Sequence, residues 1–290
     1  MKILLTGYTG FIGSKLLAEL LIAHHQVVCL GRRPPPLARS SLYEYVKCDL
    51  ADNNGMEQVD WAGLDVVIHL ASAGVKAAHR FWPECLATNI VGQQNLLSWV
   101  AQYKNIKKII IAGTFYEKIV YENPVLWDNP YVATKWTASE SFKAWAQHAG
   151  CISVLLHFFQ VYGPGDESGN VLSYTKNSLR SGLVAKLGGG KSRRDWIYLD
   201  DAVGALMVAL TNLSADPGFS AYDVGSGELH SIRETVEFMA TRIGASPDLL
   251  EFDAKRDRHD AGVELAAQRF LPGWNPVYNY KAGLTQFSTT

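Results

Sequence analysis

The 290-residue chain has few cysteines and no excess of charge of either sign. Its 4 cysteines are widely spaced, with no CxxC pair and no Cys/His cluster. We therefore expect no disulfide framework and no metal site, and a reducing compartment, the cytoplasm. The formal net charge is −1, so no basic field predicts binding to nucleic acid. The apolar run after Met1 is far too short for a signal peptide or a membrane span, which predicts a protein without a membrane partner.

What the chain does have is a regular alternation of short apolar strands with helices of amphipathic spacing, from Lys2 to about residue 225. This alternation predicts an α/β fold with a Rossmann-type, doubly wound parallel sheet. The tail from Ser226 is more polar and predicts an irregular segment around one helix. We expect a dinucleotide-binding domain of residues 1–156 with about 196–225. A smaller, interleaved substrate lobe is expected from about 157–195 with 226–290.

Three glycines lie between the first strand and the first helix, in the stretch ILLTGYTGFIGSKLL. Glycine lets the backbone approach a phosphate closely, and the helix N-terminus presents N–H groups to a pyrophosphate. The alternative is a merely tight turn. The spacing of Gly7, Gly10 and Gly13 resembles that of the short-chain dehydrogenase/reductase superfamily, in particular its extended branch, the NAD-dependent epimerase/dehydratase family. The resemblance implies that Thr9, Phe11 and Ile12 of the same turn also bind the cofactor.

The second predicted strand ends at Gly31-Arg32-Arg33, where an acidic residue would accept the adenosine ribose hydroxyls. Arginine at this place favours a 2′-phosphate instead. We therefore predict a preference for NADP(H) over NAD(H), with Arg32 and Arg33 as the phosphate-binding residues. The alternative is a solvated basic pair beside a proline-rich loop.

Further cofactor-binding positions are implied by the resemblance alone. KCDL resembles the segment beside the adenine, and HLAS resembles the one whose backbone runs past the cofactor. The helix ATNIVGQQNLL matches the family pattern N-x-x-G-x-x-N-L-L. These segments contribute the predicted cofactor residues Asp49, Leu50, Leu70, Ala71 and Asn89. A surface position on a helix is the alternative for Asn89, and His69 is expected to be a packed strand residue.

Tyr131 and Lys135 stand one helical turn apart in PYVATKWTASE, behind the helix-capping sequence WDNP. In the family such a tyrosine exchanges a proton with the substrate oxygen. The lysine lowers the tyrosine pKa and holds the nicotinamide ribose. Thr114, at the end of the strand KKIIIAGT, resembles the hydroxyl residue of the family pattern SSxxVYG. Lys118 stands where that pattern has tyrosine, which is a departure. The predicted catalytic residues are Thr114, Tyr131 and Lys135, with Lys135 also binding the cofactor.

The second half of the chain resembles the part of the family that binds a nucleoside-diphosphate sugar. FFQVYGPGDES is similar to R-x-x-N-V-Y-G-P-G, with His157 and Gln160 at the positions of Arg and Asn. Arg194 matches an arginine that meets the diphosphate, and Arg256 resembles a second one near the C-terminus. For Arg256 a solvated charged loop is the alternative. The predicted substrate residues are Gln160, Arg194 and Arg256.

Three reactions share this scaffold. Thr114 is followed by Phe115 and Tyr116 rather than an Asp-Glu pair, which argues against a sugar dehydratase. The arginine pair favours NADPH and net reduction, as in the family's 4-ketoreductases of the CDP-abequose synthase type. We predict reduction of the 4-keto group of a nucleoside-diphosphate deoxysugar. The alternatives are an NAD-dependent 4-epimerase and a non-catalytic dinucleotide-binding regulator. The resemblance also implies a homodimer, for which the helices near residues 82–103 and 131–150 could form the interface; burial of these helices in the core is the alternative.

Overall fold

The computed structural model describes residues 1–38, 40–212, 217–257 and 264–290. The strands are β1 Lys2–Thr6, β2 Gln26–Gly31, β3 Tyr43–Lys47, β4 Val66–His69, β5 Lys108–Thr114, β6 Ile152–Phe158, β7 Gln160–Tyr162, β8 Ala185–Leu187, β9 Arg193–Arg194, β10 Trp196–Tyr198, β11 Gly218–Val224, β12 His230–Ser231 and β13 Leu250–Phe252. The helices are α1 Phe11–Ile22, α2 Trp82–Cys85, α3 Gln93–Val100, α4 Pro130–Ala146, α5 Val171–Arg180, α6 Leu199–Thr211, α7 Ile232–Ile243 and α8 Tyr280–Thr289. A π-helical segment, Leu86–Gly92, joins α2 to α3.

Seven strands form one parallel sheet in the order β11-β6-β5-β4-β1-β2-β3. The strand order reverses between β1 and β4, which is the point where ligands bind in open α/β sheets, outside the carboxyl ends of the strands. This confirms the predicted α/β fold class with its Rossmann-type sheet.

Apolar side chains cover both faces of this sheet. One core cluster packs α1 and α6 against the sheet and includes Leu16 and Leu206. The other packs α3 and α4 on the opposite face and includes Leu97 and Phe142. Because both faces are buried, the inner strands such as β1 and β4 are almost continuously apolar, whereas the edge strand β3 is not.

The stretch CISVLLHFFQVYG is one apolar run in the sequence but forms two strands, β6 in the large sheet and β7 in a separate small sheet. The break lies at Phe159, whose N–H donates to the Val224 carbonyl at 3.0 Å. The next residue, Gln160, donates its N–H to the Asp195 carbonyl at 3.1 Å, and β7 then pairs with β10 in a separate small sheet. Hydrophobicity alone does not show this break, because it does not indicate which strand a segment pairs with.

The tail contains two helices, α7 and α8, rather than the one predicted. In α8 the buried residues Tyr280, Leu284 and Phe287 recur at helical spacing. They pack with Val236 and Met239 of α7 in a third core cluster, away from the large sheet. Within the ranges given above, no helix is long and apolar enough to cross a membrane.

Candidate active site

The glycine turn after β1 has no room for side chains at two of its glycines. A Cβ on Gly7 would lie 2.5 Å from the carbonyl carbon of Leu70, and a Cβ on Gly13 would lie 2.1 Å from the Gly7 carbonyl oxygen. Gly7 also has a φ of +74°, which favours glycine. Helix α1 begins at Phe11, directly after Gly10. The N–H groups of its first turn therefore lie near the carboxyl end of β1. This cradle fits a dinucleotide pyrophosphate.

The other predicted residues of the turn and its wall lie around this cradle. Thr9 is exposed, and Phe11 and Ile12 are partly buried. The backbone of Leu70 and Ala71 passes so close to Gly7 that it forms the opposite wall of the turn. These positions are compatible with the predicted cofactor contacts, which remain predictions.

The adenosine end of the predicted site lies at the end of β2. Arg32 and Arg33 are exposed, and neither has an ion pair within the described ranges. The Tyr8 hydroxyl, from the glycine turn, donates a hydrogen bond to the Arg33 carbonyl at 2.5 Å. The turn therefore fixes the backbone of the loop and leaves both guanidinium groups in solvent. Asp49 is exposed, and its Oδ1 accepts a hydrogen bond from the Ala51 N–H at 3.1 Å. Leu50 is buried.

Asn89 has both ends of its side-chain amide hydrogen-bonded within the protein, and its contact with a cofactor stays a prediction. Its Oδ1 accepts the Ala73 N–H at 2.8 Å and the Ser72 hydroxyl at 3.1 Å. Its Nδ2 donates to the Ala73 carbonyl at 3.1 Å and to Thr134 Oγ1 at 2.9 Å. With both ends of the amide engaged, Asn89 joins the segment after β4 to the helix of Tyr131 and Lys135. It is a positioning residue in this structure.

The fold brings Thr114, Tyr131 and Lys135 together at the carboxyl end of β5. Thr114 is the last residue of β5, and its side chain is hydrogen-bonded to Tyr131. Tyr131 lies in the first turn of α4, where Asn129 caps the helix by accepting the Tyr131 N–H at 3.1 Å. One turn later, Lys135 Nζ donates to the Ala112 carbonyl at 2.6 Å. Strand end and helix start thus hold the three functional groups in one place.

Burial controls the protonation of this group. It raises the pKa of Tyr131, and the Glu117 carboxylate raises it further, whereas the Thr114 hydrogen bond and the Arg80 guanidinium lower it. Burial also lowers the pKa of Lys135, which the charge of Glu117 opposes. The pKa of Tyr131 is thus raised, mainly by burial, rather than lowered as expected from Lys135.

His69, in the adjacent strand β4, is a packed residue as predicted. Its Nδ1 lies 2.8 Å from Thr6 Oγ1. Burial, together with the nearby Lys135 charge, lowers its pKa to about 3, so the imidazole is neutral at physiological pH.

Two charged residues of this site were not predicted. Arg80 donates from Nε to the Gly74 carbonyl at 3.0 Å, and its guanidinium lies 5.9 Å from the centre of the Tyr131 ring. Glu117 is buried, and its Oε1 accepts the Thr114 N–H at 2.9 Å. The sequence carried a signal for Glu117, since Thr-x-x-Glu is the capping-box pattern. For Arg80 it carried no comparable pattern.

The predicted substrate residues are separated into two groups. Gln160 begins β7, and its N–H donates to the carbonyl of Asp195, the residue after Arg194. Arg194 is partly buried and donates from Nη1 to Ser192 Oγ and to the Arg193 carbonyl. Arg256 instead forms an ion pair with Glu251, its Nη2 lying 2.5 Å from Oε1. The structure thus gives Arg256 a surface ion pair, which favours the charged-loop alternative.

Comparison with known proteins gives consistent matches over the length of the chain. The model of the NAD dependent epimerase/dehydratase family matches residues 3–225. The low-salt glycan biosynthesis protein Agl12 of Haloferax volcanii is 26% identical, over 98% of this chain and 96% of its own length. The CDP-abequose synthase of Salmonella typhimurium is 24% identical, over 98% of this chain and 96% of its own length.

A solved structure with the same fold is DesIV, a dTDP-glucose 4,6-dehydratase from Streptomyces venezuelae determined with NAD and TYD bound. It has a TM-score of 0.84 and 21% identity, and the alignment covers 100% of this chain and 96% of that one. This likeness shows the fold.

Proposed function

Because the chain belongs to the NAD-dependent epimerase/dehydratase family, we propose that it reduces the 4-keto group of a nucleoside-diphosphate deoxysugar with NADPH. As a member of this family it is a nucleotide-sugar-modifying enzyme, and its relatives include a CDP-abequose synthase. The finer assignment is based on the site. Thr114, Tyr131 and Lys135 are all present and adjacent, which a regulator without catalysis would not need.

The bound nicotinamide would supply the hydride for this reduction. Tyr131 gives its phenolic proton to the developing alkoxide at C4, which is a stronger base than a phenolate, so a raised pKa does not prevent the transfer. Thr114 hydrogen-bonds the same oxygen and orients it. A well-placed general acid of this kind contributes about 10²–10⁴ in rate.

The single observation that favours NADPH is the pair of exposed arginines at the end of β2. Neither Arg32 nor Arg33 is held by a carboxylate in the described part of the chain, and the Tyr8 hydroxyl fixes their loop beside the glycine turn. A planar guanidinium matches phosphate oxygens and stays charged at all physiological pH values. The pair therefore suits the 2′-phosphate of NADPH.

For the substrate we assign the diphosphate to Arg194, with Gln160 nearby. The two are tied by the backbone bond from Gln160 N–H to the Asp195 carbonyl. The side chain of Asp195 in turn accepts the N–H groups of Ser226 and Gly227, which closes this part of the substrate lobe.

The experiment that tests the proposal follows nicotinamide absorbance with purified protein. NADPH and NADH are each offered with CDP- or dTDP-4-keto-6-deoxyglucose. We expect oxidation of NADPH, faster than that of NADH. Absence of oxidation of either cofactor, with NAD already bound to the purified protein, would support a 4-epimerase instead.

We also propose that the protein is a homodimer. Trp82 and Leu86, one helical turn apart, are 45% and 43% exposed, and Val91 further along the same helical run is 45% exposed. Apolar side chains clustered on a helix surface favour burial against a second copy. Light scattering coupled to gel filtration gives the mass directly, and a monomer at micromolar concentration would overturn this proposal.

A further inference from the structure

Two departures from the family pattern, Lys118 and His157, meet in one cluster of charges beside the predicted catalytic residues. His157 Nε2 lies 3.3 Å from Glu117 Oε2, and its Nδ1 lies 3.8 Å from Asp223 Oδ1. Asp223 Oδ2 in turn accepts Lys118 Nζ at 2.6 Å. We call Glu117, Lys118, His157 and Asp223 the charge cluster. It extends across the carboxyl ends of β5, β6 and β11.

Three of the four side chains of the cluster are largely buried, whereas that of Lys118 is 27% exposed. The side chains of Glu117 and Asp223 are 4% and 1% exposed, and that of His157 is 13% exposed. Asp223 is further held by the N–H groups of Gln268 and Arg269, at 2.9 and 3.1 Å. Burial opposes its ionisation, but these N–H groups and Lys118 outweigh burial and keep the pKa of Asp223 below its ordinary value.

Stability does not account for a carboxylate at Glu117. Taking charges out of water is costly, and a well-packed apolar side chain serves a core equally well or better. The family pattern SSxxVYG has valine at this place, and the surroundings include the apolar residues Phe115 and Phe159. A buried glutamate here therefore calls for a role in the neighbouring site.

Glu117 contacts the same strand end as the catalytic lysine. Its Oε1 accepts the Thr114 N–H at 2.9 Å, while Lys135 Nζ donates to the carbonyl of Ala112, two residues earlier in β5. Its second oxygen, Oε2, is buried and accepts no hydrogen bond from the described residues, and it lies 3.3 Å from His157 Nε2. The carboxylate is thus held through Oε1, next to the group formed by Thr114, Tyr131 and Lys135.

We propose that Glu117 is a positioning residue that orients Thr114 through its backbone N–H and places a fixed negative charge beside the group formed by Thr114, Tyr131 and Lys135. His157 lies between that carboxylate and Asp223, and Asp223 is in turn paired with Lys118. A site biased in this way is suited to donate a proton to a carbonyl oxygen, and less suited to remove one from an alcohol.

This role rests on the proposed reduction for its purpose. In that reaction the ketone carbon gains a hydride, its oxygen takes the proton of Tyr131, and the phenolate is then reprotonated from solvent. The electrostatic effect of Glu117 on its neighbours can, however, be measured without any substrate. The charged or titratable groups that act on Tyr131 are Glu117, Arg80 and Tyr116. Lys135 responds to Glu117.

Two variants separate the charge of Glu117 from its hydrogen bond. Glu117→Gln removes the charge but keeps an oxygen that can accept the Thr114 N–H. Glu117→Val removes both the charge and the acceptor oxygen and introduces the residue of the family pattern. Valine suits a buried position, so this variant serves if the Glu117→Gln protein does not fold. Glu122→Gln is the matched control, because Glu122 is exposed and lies four residues beyond Lys118, outside the charge cluster.

The readout is the titration of Lys135 by NMR of a labelled lysine side chain, assigned by its loss in Lys135→Met. Removal of a nearby negative charge should move the Lys135 midpoint down by about one pH unit in both Glu117 variants. Amide exchange of Thr114 should be about tenfold faster in Glu117→Val than in Glu117→Gln. Glu122→Gln should change neither quantity.

An unchanged Lys135 midpoint in both folded Glu117 variants would overturn the proposal. Equal Thr114 exchange in the two variants would overturn the orienting role. If the midpoint moves but the wild-type protein oxidises no NADPH with a keto sugar, the proposed function fails while the role of Glu117 stands.

Discussion

The two sides of the strand-order reversal differ in how their sites are built. On the side of β1, β2 and the turn into α1, the backbone itself forms the site, and glycines at Gly7 and Gly13 allow the chain to pass within contact distance of itself. On the side of β5, β6 and β11, side chains form the site, and several of them are charged and buried. We call these the backbone side and the side-chain side.

The difference shows which sites a sequence can reveal. The backbone side depends on the conformation of residues that are neighbours in the sequence. Its glycine spacing and the following helix can therefore be recognised in a short stretch of sequence. The side-chain side depends on contacts between distant positions, such as Lys118 with Asp223, 105 residues apart. A pattern can assign Thr114 there, but the pairing of Glu117 with His157 becomes visible only when β5 and β6 lie side by side.

The largest expected effect falls on the side-chain side alone. Tyr131→Phe removes the proton donor and should lower turnover about 10²–10⁴-fold, with NADPH affinity unchanged. Turnover is measured by nicotinamide absorbance and affinity by fluorescence titration. Tyr121→Phe is the matched control, since Tyr121 is 69% exposed. A Tyr131→Phe enzyme that kept most of its activity would show that Tyr131 is not the proton donor.

On the backbone side the expected effect is on stability and cofactor binding together. Gly7→Ala combines an unfavourable positive φ with a Cβ in contact with Leu70 and should cost about 3 kcal/mol. Gly182→Ala, where φ is +68° and nothing lies within 4 Å of the new Cβ, should cost about 1–2 kcal/mol. Urea unfolding of both variants measures the difference. Equal losses would mean that the turn tolerates the extra atom.

Protonation of His69 makes the free energy of unfolding depend on pH. His69 is the last residue of β4, at the strand-order reversal that separates the two sides. Its folded pKa of about 3 lies below the ordinary value near 6.5, so on acidification the unfolded chain takes up a proton that the folded chain does not. Stability should therefore fall by about 2 kcal/mol between pH 6.5 and pH 5 from this residue. His69→Gln should remove that part of the slope in urea unfolding, and exposed His148→Gln should not. Parallel slopes for all three proteins would refute the assignment.

The smallest expected effect concerns cofactor choice. Replacing Arg32 and Arg33 together by serine should reduce the preference for NADPH over NADH about tenfold, or about 1.4 kcal/mol, by removing charged hydrogen bonds to the 2′-phosphate. The kcat/KM values for both cofactors measure it. A fall for NADH as large as that for NADPH would indicate damage to the loop rather than loss of phosphate recognition.

Most of the large sheet could be predicted because its strands are buried on both faces and separated by helices. Three features differ from a reading of the local pattern. The chain changes sheet at Phe159 because of backbone bonds to Val224 and then Asp195. Asp201, in the first turn of α6, accepts the distant N–H groups of Val277 and Tyr278 at 2.8 and 3.0 Å.

The third feature is the tail helix α8. Its apolar residues recur at helical spacing, but the polar composition of the surrounding segment hides this pattern. Within the site, Thr114, Tyr131 and Lys135 lie together as expected from the resemblance. Asn89 and Glu117 show the limit of that approach, because whether a buried polar group faces a ligand or another side chain depends on the partners that the fold supplies.

Transfer of deuterium tests the central claim of reductive chemistry most directly. NADPH carrying deuterium at the reactive nicotinamide carbon is incubated with the protein and CDP-4-keto-6-deoxyglucose, and the sugar product is analysed by mass spectrometry and NMR. We predict one deuterium at C4 of a reduced sugar and consumption of one NADPH per product. An isomerised nucleotide sugar without deuterium, formed while NADPH stays intact, would contradict the account and identify an epimerase.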